Sequence, residues 1–531
     1  MNRRDFLKRA LAVSAGTMSG GALAKDLFAG EQGIVGPANV ESTDALSPSS
    51  RMADKQQNAN RAKSGEGDAK SPEEIFPLSP SATGRYLVDR KGRPFLIHGD
   101  TMWVWAWIGD NGGMGKSAIE TYLDDRRAKG FNALAFMAIY KEYDQQGRWH
   151  FFRDYEGNLP FTRELAPGIW DFASPNAAYF HTVQWLLDEC AARNFLALVS
   201  PCWLGYPGTG AFQRDVVANG EKACYAFGEY LGGLLGDARN LAWIFGGDKV
   251  PTADEAATQH KVLEGIKKAS AFPGAFYCAH WRRNIEPNIP SLSRDVPSFA
   301  PDMTVEMFYP ASLTYIGALR AWHCGNYAGL TKPLPVLLGE SYYEGQARFD
   351  IHGHGAKEPW PDYMCRRQAY WALLSGAAGH LYGVENNPLP PDLNLPGTRQ
   401  MTYVKEFFTS RAWHDLIPDD THQVVTEGFG VQAAMDAAAA NPPGSDYVAA
   451  GRTPDGGLVL AYIPPTGTAA RTITVNMTRL AGKTRVSWFN PFTGCYAALD
   501  VFPNVGLRRF TTPGDNGSGQ NDWALVLETE T

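Results

Sequence analysis

The sequence is poor in cysteine. Seven cysteines among 531 residues stand at positions 190, 202, 224, 278, 324, 365 and 495, a scattered, odd-numbered set with no Cys-x-x-Cys pair. This argues against a disulfide framework and against structural zinc, and leaves most of them as small core hydrophobes. Positive charge is also short: 49 Lys and Arg face 56 Asp and Glu, a formal charge of −7, and no basic stripe is interleaved with aromatics. A nucleic-acid backbone therefore has no electrostatic footprint to meet. Beyond the first 25 residues no run of 18 uncharged apolar residues occurs, so no transmembrane span is expected in the mature chain. Glycine (55) and proline (35) are too few for a fibrous or wholly disordered chain.

What is present is ordinary globular material, 44% hydrophobic and 20% charged, in a chain long enough for one large domain and at least one smaller one. The twin arginine Arg3-Arg4, the apolar run from Ala10 to Leu23 and the small-residue end Ala22-Leu-Ala24 have the layout of a cleavable export signal over residues 1–24. The expected location is periplasmic or secreted, by the twin-arginine route. Residues 25–79, rich in Ser, Ala, Asn, Gln, Gly and Lys, read as a low-complexity linker.

From residue 80 short apolar strands alternate with helical patterns. Eight strand candidates (Phe95–Thr101, Asn132–Ala138, Phe195–Ser200, Leu241–Phe245, Gly274–Ala279, Met303–Phe308, Pro335–Gly339 and Ala377–Tyr382) have amphipathic segments between most of them. Near-continuous apolar strands need cover on both faces, and eight of them fit a (β/α)8 barrel over residues 80–417. A doubly wound nucleotide-binding sheet is disfavoured, because Gly109-Asp-Asn-Gly-Gly-Met-Gly-Lys116 has the wrong spacing for a phosphate loop, so no nucleotide cofactor is expected. Residues 418–531 carry β-rich runs between Pro, Gly, Asp and Asn turns, the pattern of an all-β sandwich. The alanine-rich stretch Val431–Ala440 suits a helix, a loop or an irregular strand.

Reactive groups of such a barrel sit where strands end on the C-terminal face. Those positions hold Asp100, Asn132, Trp203, Asp248, His280, Tyr309, Glu340, and His380 with Tyr382. Two carboxylates stand out: Asp248 after the two glycines of Ile244-Phe-Gly-Gly-Asp248, and Glu340 after Leu337-Leu-Gly339. Glycosidic cleavage needs one carboxylic acid to protonate the leaving oxygen and one carboxylate to attack carbon or activate water. A solvated strand-end charge, or a partner for Arg283, is the plain alternative for each. Trp103, Trp203, Trp281 and Tyr309 suit stacking walls or ordinary core packing. Asp100 and Asn132 suit hydroxyl binding or the holding of loops, and His280, His380 and Tyr382 suit hydroxyl binding or the tuning of the carboxylates. No metal is expected, since the chemistry needs none.

Several stretches resemble the apiosidase-like glycoside hydrolases, whose barrel is followed by a collagen-binding-like β-domain. They are Gly99-Asp-Thr101, Tyr122-Leu-Asp-Asp-Arg-Arg-Ala-Lys-Gly-Phe-Asn132, Trp243-Ile-Phe-Gly-Gly-Asp-Lys-Val-Pro251, Gly339-Glu-Ser-Tyr-Tyr-Glu344, Arg367 to Gly383, and Trp488-Phe-Asn-Pro-Phe-Thr-Gly494. The resemblance implies Asp248 as general acid/base and Glu340 as nucleophile or base. Glu344, in the loop beyond, competes with Glu340, orients substrate or pairs with Arg348. The family's Gly-Glu-Pro stands here as Gly339-Glu-Ser341, and Trp103-Val-Trp-Ala-Trp107 is richer in aromatics than the family leads one to expect. The expected protein is thus an exported hydrolase of a plant or microbial oligo- or polysaccharide, retaining in mechanism, with oligomeric state open. A non-catalytic carbohydrate-binding scaffold is the alternative, and a lyase using His280 and Arg283 a more distant one.

Overall fold

The computed structural model describes residues 72–103, 114–143, 149–205, 211–248, 250–271, 276–281, 292–309, 313–327, 333–349, 355–385, 392–433 and 444–530. The export signal, most of the linker, the Gly109–Lys116 loop up to residue 113, and residues 434–440 of the alanine-rich stretch lie outside them.

Eight parallel strands form one sheet: β1 Ile97–Thr101, β2 Ala133–Met137, β3 Leu196–Ser200, β4 Leu241–Gly247, β5 Phe276–Trp281, β6 Glu306–Phe308, β7 Val336–Leu338 and β8 Gly379–Tyr382. Their order is β5-β4-β3-β2-β1-β8-β7-β6, which leaves β5 and β6 to meet and close the barrel. A serine makes much of that seam. Ser293, fully buried, accepts from the Ala279 N–H at 3.1 Å and the Met307 N–H at 2.9 Å, and donates to the Ala279 carbonyl at 2.8 Å. Its one hydroxyl satisfies backbone groups of both edge strands that a direct ladder would otherwise pair.

Among the described residues seven helices longer than two turns clothe the sheet: α1 Lys116–Ala128, α2 Ala177–Ala192, α3 Gln213–Leu235, α4 Ala253–Ala269, α5 Thr314–Tyr327, α6 Tyr363–Leu374 and α7 Pro396–Thr409. Each starts or stops for a local reason. In α4 the Thr252 hydroxyl and the Glu255 carboxylate cap each other's backbone N–H. After α1 the chain turns at Gly130, φ +85°, a conformation that a side chain disfavours. α3 runs through a kink at Gly220, φ +64°, which interrupts its sequence periodicity. α7 is an element the sequence reading lacks. Pro396 occupies its first helical position, where its missing N–H costs nothing.

The fold begins earlier than residue 80, since Ile75, Phe76 and Leu78, expected in the linker, are buried in the main core.

The C-terminal part is an antiparallel sandwich. Strands β9 Ile417–Pro418, β11 Ala449–Arg452, β12 Leu458–Ile463, β17 Trp523–Thr529, β14 Thr484–Phe489 and β15 Tyr496–Phe502 form one sheet in that order; β10 Val425–Glu427, β13 Thr472–Asn476 and β16 Leu507–Thr511 form the other. The two sheets enclose a core of Val459, Ile473, Val475, Trp488 and Leu525. β15 escapes the sequence reading because most of its side chains are exposed, so it carries no buried-face alternation. The sandwich is joined to the barrel by buried polar bonds. Arg366 on α6 makes a two-pronged ion pair with Asp522, 2.7 Å on each prong, and Asp522 also accepts the Tyr462 hydroxyl at 2.8 Å. The rings of Tyr370 and Tyr462 stack at 4.7 Å, and the Trp371 indole donates to the Tyr447 carbonyl at 2.9 Å.

Candidate active site

Asp248 follows β4 directly, and the two glycines before it explain its position. Gly246 sits at φ +120°, a backbone that only glycine adopts readily. A Cβ on Gly247 would lie 2.7 Å from the Leu204 Cβ and 3.0 Å from the Gly205 nitrogen. This closeness lets the β3 and β4 loops zip together: Leu204 N–H donates to the Gly246 carbonyl at 2.8 Å and Asp248 N–H to the Gly205 carbonyl at 3.0 Å. From the same segment the Trp203 indole donates to Asp248 Oδ2 at 3.4 Å.

Glu340 lies two residues past β7 and is 6% exposed. Gly339 before it fits against Met307 of β6, whose Cγ would be 2.8 Å from any added Cβ. The loop that follows is stitched to the end of β8, with Glu344 N–H donating to the Gly383 carbonyl and Glu385 N–H to the Glu344 carbonyl, both at 2.9 Å. Within this loop the Tyr343 hydroxyl accepts the Trp103 indole N–H at 2.8 Å, and Trp103 stacks on Trp203 at 5.8 Å and 26°.

The remaining candidates divide by strand face. Side chains alternate along a strand, so Asp100 and His98 on β1, and their register partners Tyr382 and His380 on β8, all point outward into the helix layer. Asp100 is fully buried there, bonded by the Arg126 guanidinium at 2.5 Å, the Tyr122 hydroxyl at 2.6 Å and the Thr101 N–H. Burial raises its carboxyl above the usual range, against the pull of Arg126. His380 shares a 2.8 Å hydrogen bond with His98, and burial holds its imidazole down to about 3. Neither residue therefore presents its side chain to the barrel mouth, contrary to the strand-end expectation. Asn132 corrects that expectation too: it precedes β2 rather than ending it, and its amide is spent on the His98 N–H and the Leu96 carbonyl, each at 2.8 Å.

Glu344 belongs with the outward group. Its carboxylate accepts the Tyr382 hydroxyl and, at 2.8 Å, the Gly397 N–H in the first turn of α7. Burial raises this carboxyl, while those two donors favour its charged form. Trp103 and Trp203 are 3% and 4% exposed, so they are packed walls and not open platforms. Tyr309 is half-buried just past β6. The side chains of His280 and Trp281 lie outside the described residues. Sequence reasoning misses Tyr343, which sits between the two acidic residues of the Gly339–Glu344 motif and whose tie to Trp103 leaves no local signal. Among the described residues no three His, Cys, Asp or Glu side chains converge to hold a metal, and no helix is long and apolar enough to cross a membrane.

The fold has close counterparts. A glycoside hydrolase structure superposes with a TM-score of 0.66 at 19% identity, covering 87% of this chain and 98% of the other. A family 5 glycoside hydrolase from Bacteroides vulgatus gives 0.65 at 17% identity, covering 87% and 95%. None of the curated proteins compared matches the chain. A collagen-binding-like domain model, named for a collagenase, matches residues 437–528. The catalytic-domain model described as apiosidase-like matches residues 81–415, well over half of the chain. This barrel with its carboxylate-bearing loops therefore belongs to the apiosidase-like glycoside hydrolases.

Proposed function

We propose that the chain is an exported retaining glycosidase acting on a plant or microbial polysaccharide, with Asp248 as general acid/base and Glu340 as nucleophile. The observation that carries this reading is the delivery of both carboxylates by short glycine-led turns directly after β4 and β7, at the same end of the barrel. The tying of Glu344 to Tyr382 and Gly397 favours Glu340 over its neighbour. In the first step a Glu340 oxygen bonds to the anomeric carbon as the glycosidic C–O bond breaks, and the Asp248 proton passes to the departing oxygen. In the second, Asp248 takes a proton from water as that water attacks the same carbon and frees Glu340. The Arg3-Arg4 leader supports export.

The test is product release from pectic, arabinan, galactan, apiose-containing and bacterial surface glycans by wild type, D248N and E340Q. NMR of the first-formed anomer follows. Release by wild type, abolished in both variants and with retained configuration, is expected. Activity surviving both substitutions overturns the site, an inverted product overturns the nucleophile role, and binding without release on every glycan favours a carbohydrate-binding scaffold.

A further inference from the structure

Trp203 and Trp103 stand between the two carboxylate-bearing loops. The loop after β7 carries Glu340 and, three residues on, Tyr343, whose hydroxyl accepts the Trp103 indole N–H at 2.8 Å. Trp103 stacks on Trp203 at 5.8 Å, and the Trp203 indole donates to Asp248 Oδ2 at 3.4 Å. Both rings are almost wholly buried, so neither has a broad face left for a sugar. An indole N–H is a donor only, with no proton to lose at ordinary pH, so its partner must be an acceptor. It therefore holds one oxygen of Asp248 as an acceptor.

We propose that Trp203 is a positioning residue for Asp248, held in place by a relay from the Glu340 loop through Tyr343 and Trp103. The inference rests on Asp248 being the acid that protonates the leaving oxygen. The relay starts on the loop that carries the other carboxylate and ends on Asp248, so it sets one against the other. Removing a link leaves the nucleophile in place and lets the acid swing. The deficit should then track the need for a proton. A sugar alkoxide cannot depart without one, whereas 2,4-dinitrophenolate departs unaided.

The experiment compares wild type, W203F, Y343F and D248N on two probes: the glycan from which wild type releases product, and the 2,4-dinitrophenyl glycoside of the sugar released. The readout is kcat/KM, with Tm as a check on folding. W203F is expected to lose at least tenfold on the glycan and less than threefold on the dinitrophenyl glycoside, following the pattern of D248N at smaller amplitude. Y343F removes an acceptor with little change of volume and is expected to show the same split more weakly. Equal losses on both probes in W203F and Y343F would mean general damage to the site and overturn the proposal, as would wild-type values in both. If D248N itself shows no split between the probes, the acid role of Asp248 falls first, and the positioning role with it.

Discussion

The Tyr382 hydroxyl donates to the Glu344 carboxylate, so the acidic residue four positions beyond Glu340 is held to the outer face of β8 and the first turn of α7. E344Q keeps the shape but weakens both charge-assisted bonds. We expect it to cost about 1–3 kcal/mol of stability, read as a lowered Tm, while keeping more than a tenth of wild-type kcat. E340Q should reverse that pattern, with Tm little changed and kcat down by at least about a thousandfold, an amount equivalent to about 4 kcal/mol at the transition state.

The Gly246-Gly247 turn predicts a second effect. G247A places a methyl 2.7 Å from the Leu204 Cβ and 3.0 Å from the Gly205 nitrogen, so the β3 and β4 loops must part. Overpacking of this kind costs about 1–3 kcal/mol. Because the displaced segment ends in Asp248, kcat should fall more than tenfold in a protein that still folds, as read by circular dichroism and steady-state kinetics. Full activity in G247A would show that Asp248 tolerates movement of its loop.

Arg366 and Asp522 predict the fate of the sandwich. D522A leaves the Arg366 guanidinium buried without its carboxylate, a change that costs about 3–5 kcal/mol. Tyr370, Trp371 and Tyr462 pack across the same junction, so calorimetry should show barrel and sandwich melting in one transition that moves down as a whole. Two transitions, of which only one moves, would mean that the sandwich is an independent appendage.

His98 and His380 predict acid sensitivity. Burial lowers both imidazoles, His380 to about 3 and His98 well below its ordinary value. The unfolded chain takes up these protons near pH 6.5 while the native state does not, so stability present above pH 6.5 is lost progressively as pH falls toward 3. Each group contributes a slope approaching about 1.4 kcal/mol per pH unit. Urea unfolding at pH 7, 6, 5 and 4 should show this decline, and H380N should flatten it. Lys405, lowered by burial to about 7, acts higher on the scale: stability rises from pH 7 toward 10, and K405M should abolish that rise.

The sequence by itself determined the eight strands, most of the helices, the β-rich tail and the two glycine-led carboxylates, because each is a local property. Apolar runs of strand length, amphipathic spacing and glycines before a charge can be read within a dozen residues. The missed elements lacked such signals: α7 opens on a proline turn, and β15 has most of its side chains exposed. Tertiary structure decided which face each strand-end residue takes. Asp100 and Tyr382 occupy the right end of the barrel but project outward, and His380, the second residue of β8, projects outward beside His98, because a one-residue shift in register moves a side chain from one face to the other. It also decided what Trp103, Trp203 and Tyr343 do, since a hydrogen bond between residues 240 positions apart exists only after the barrel has closed.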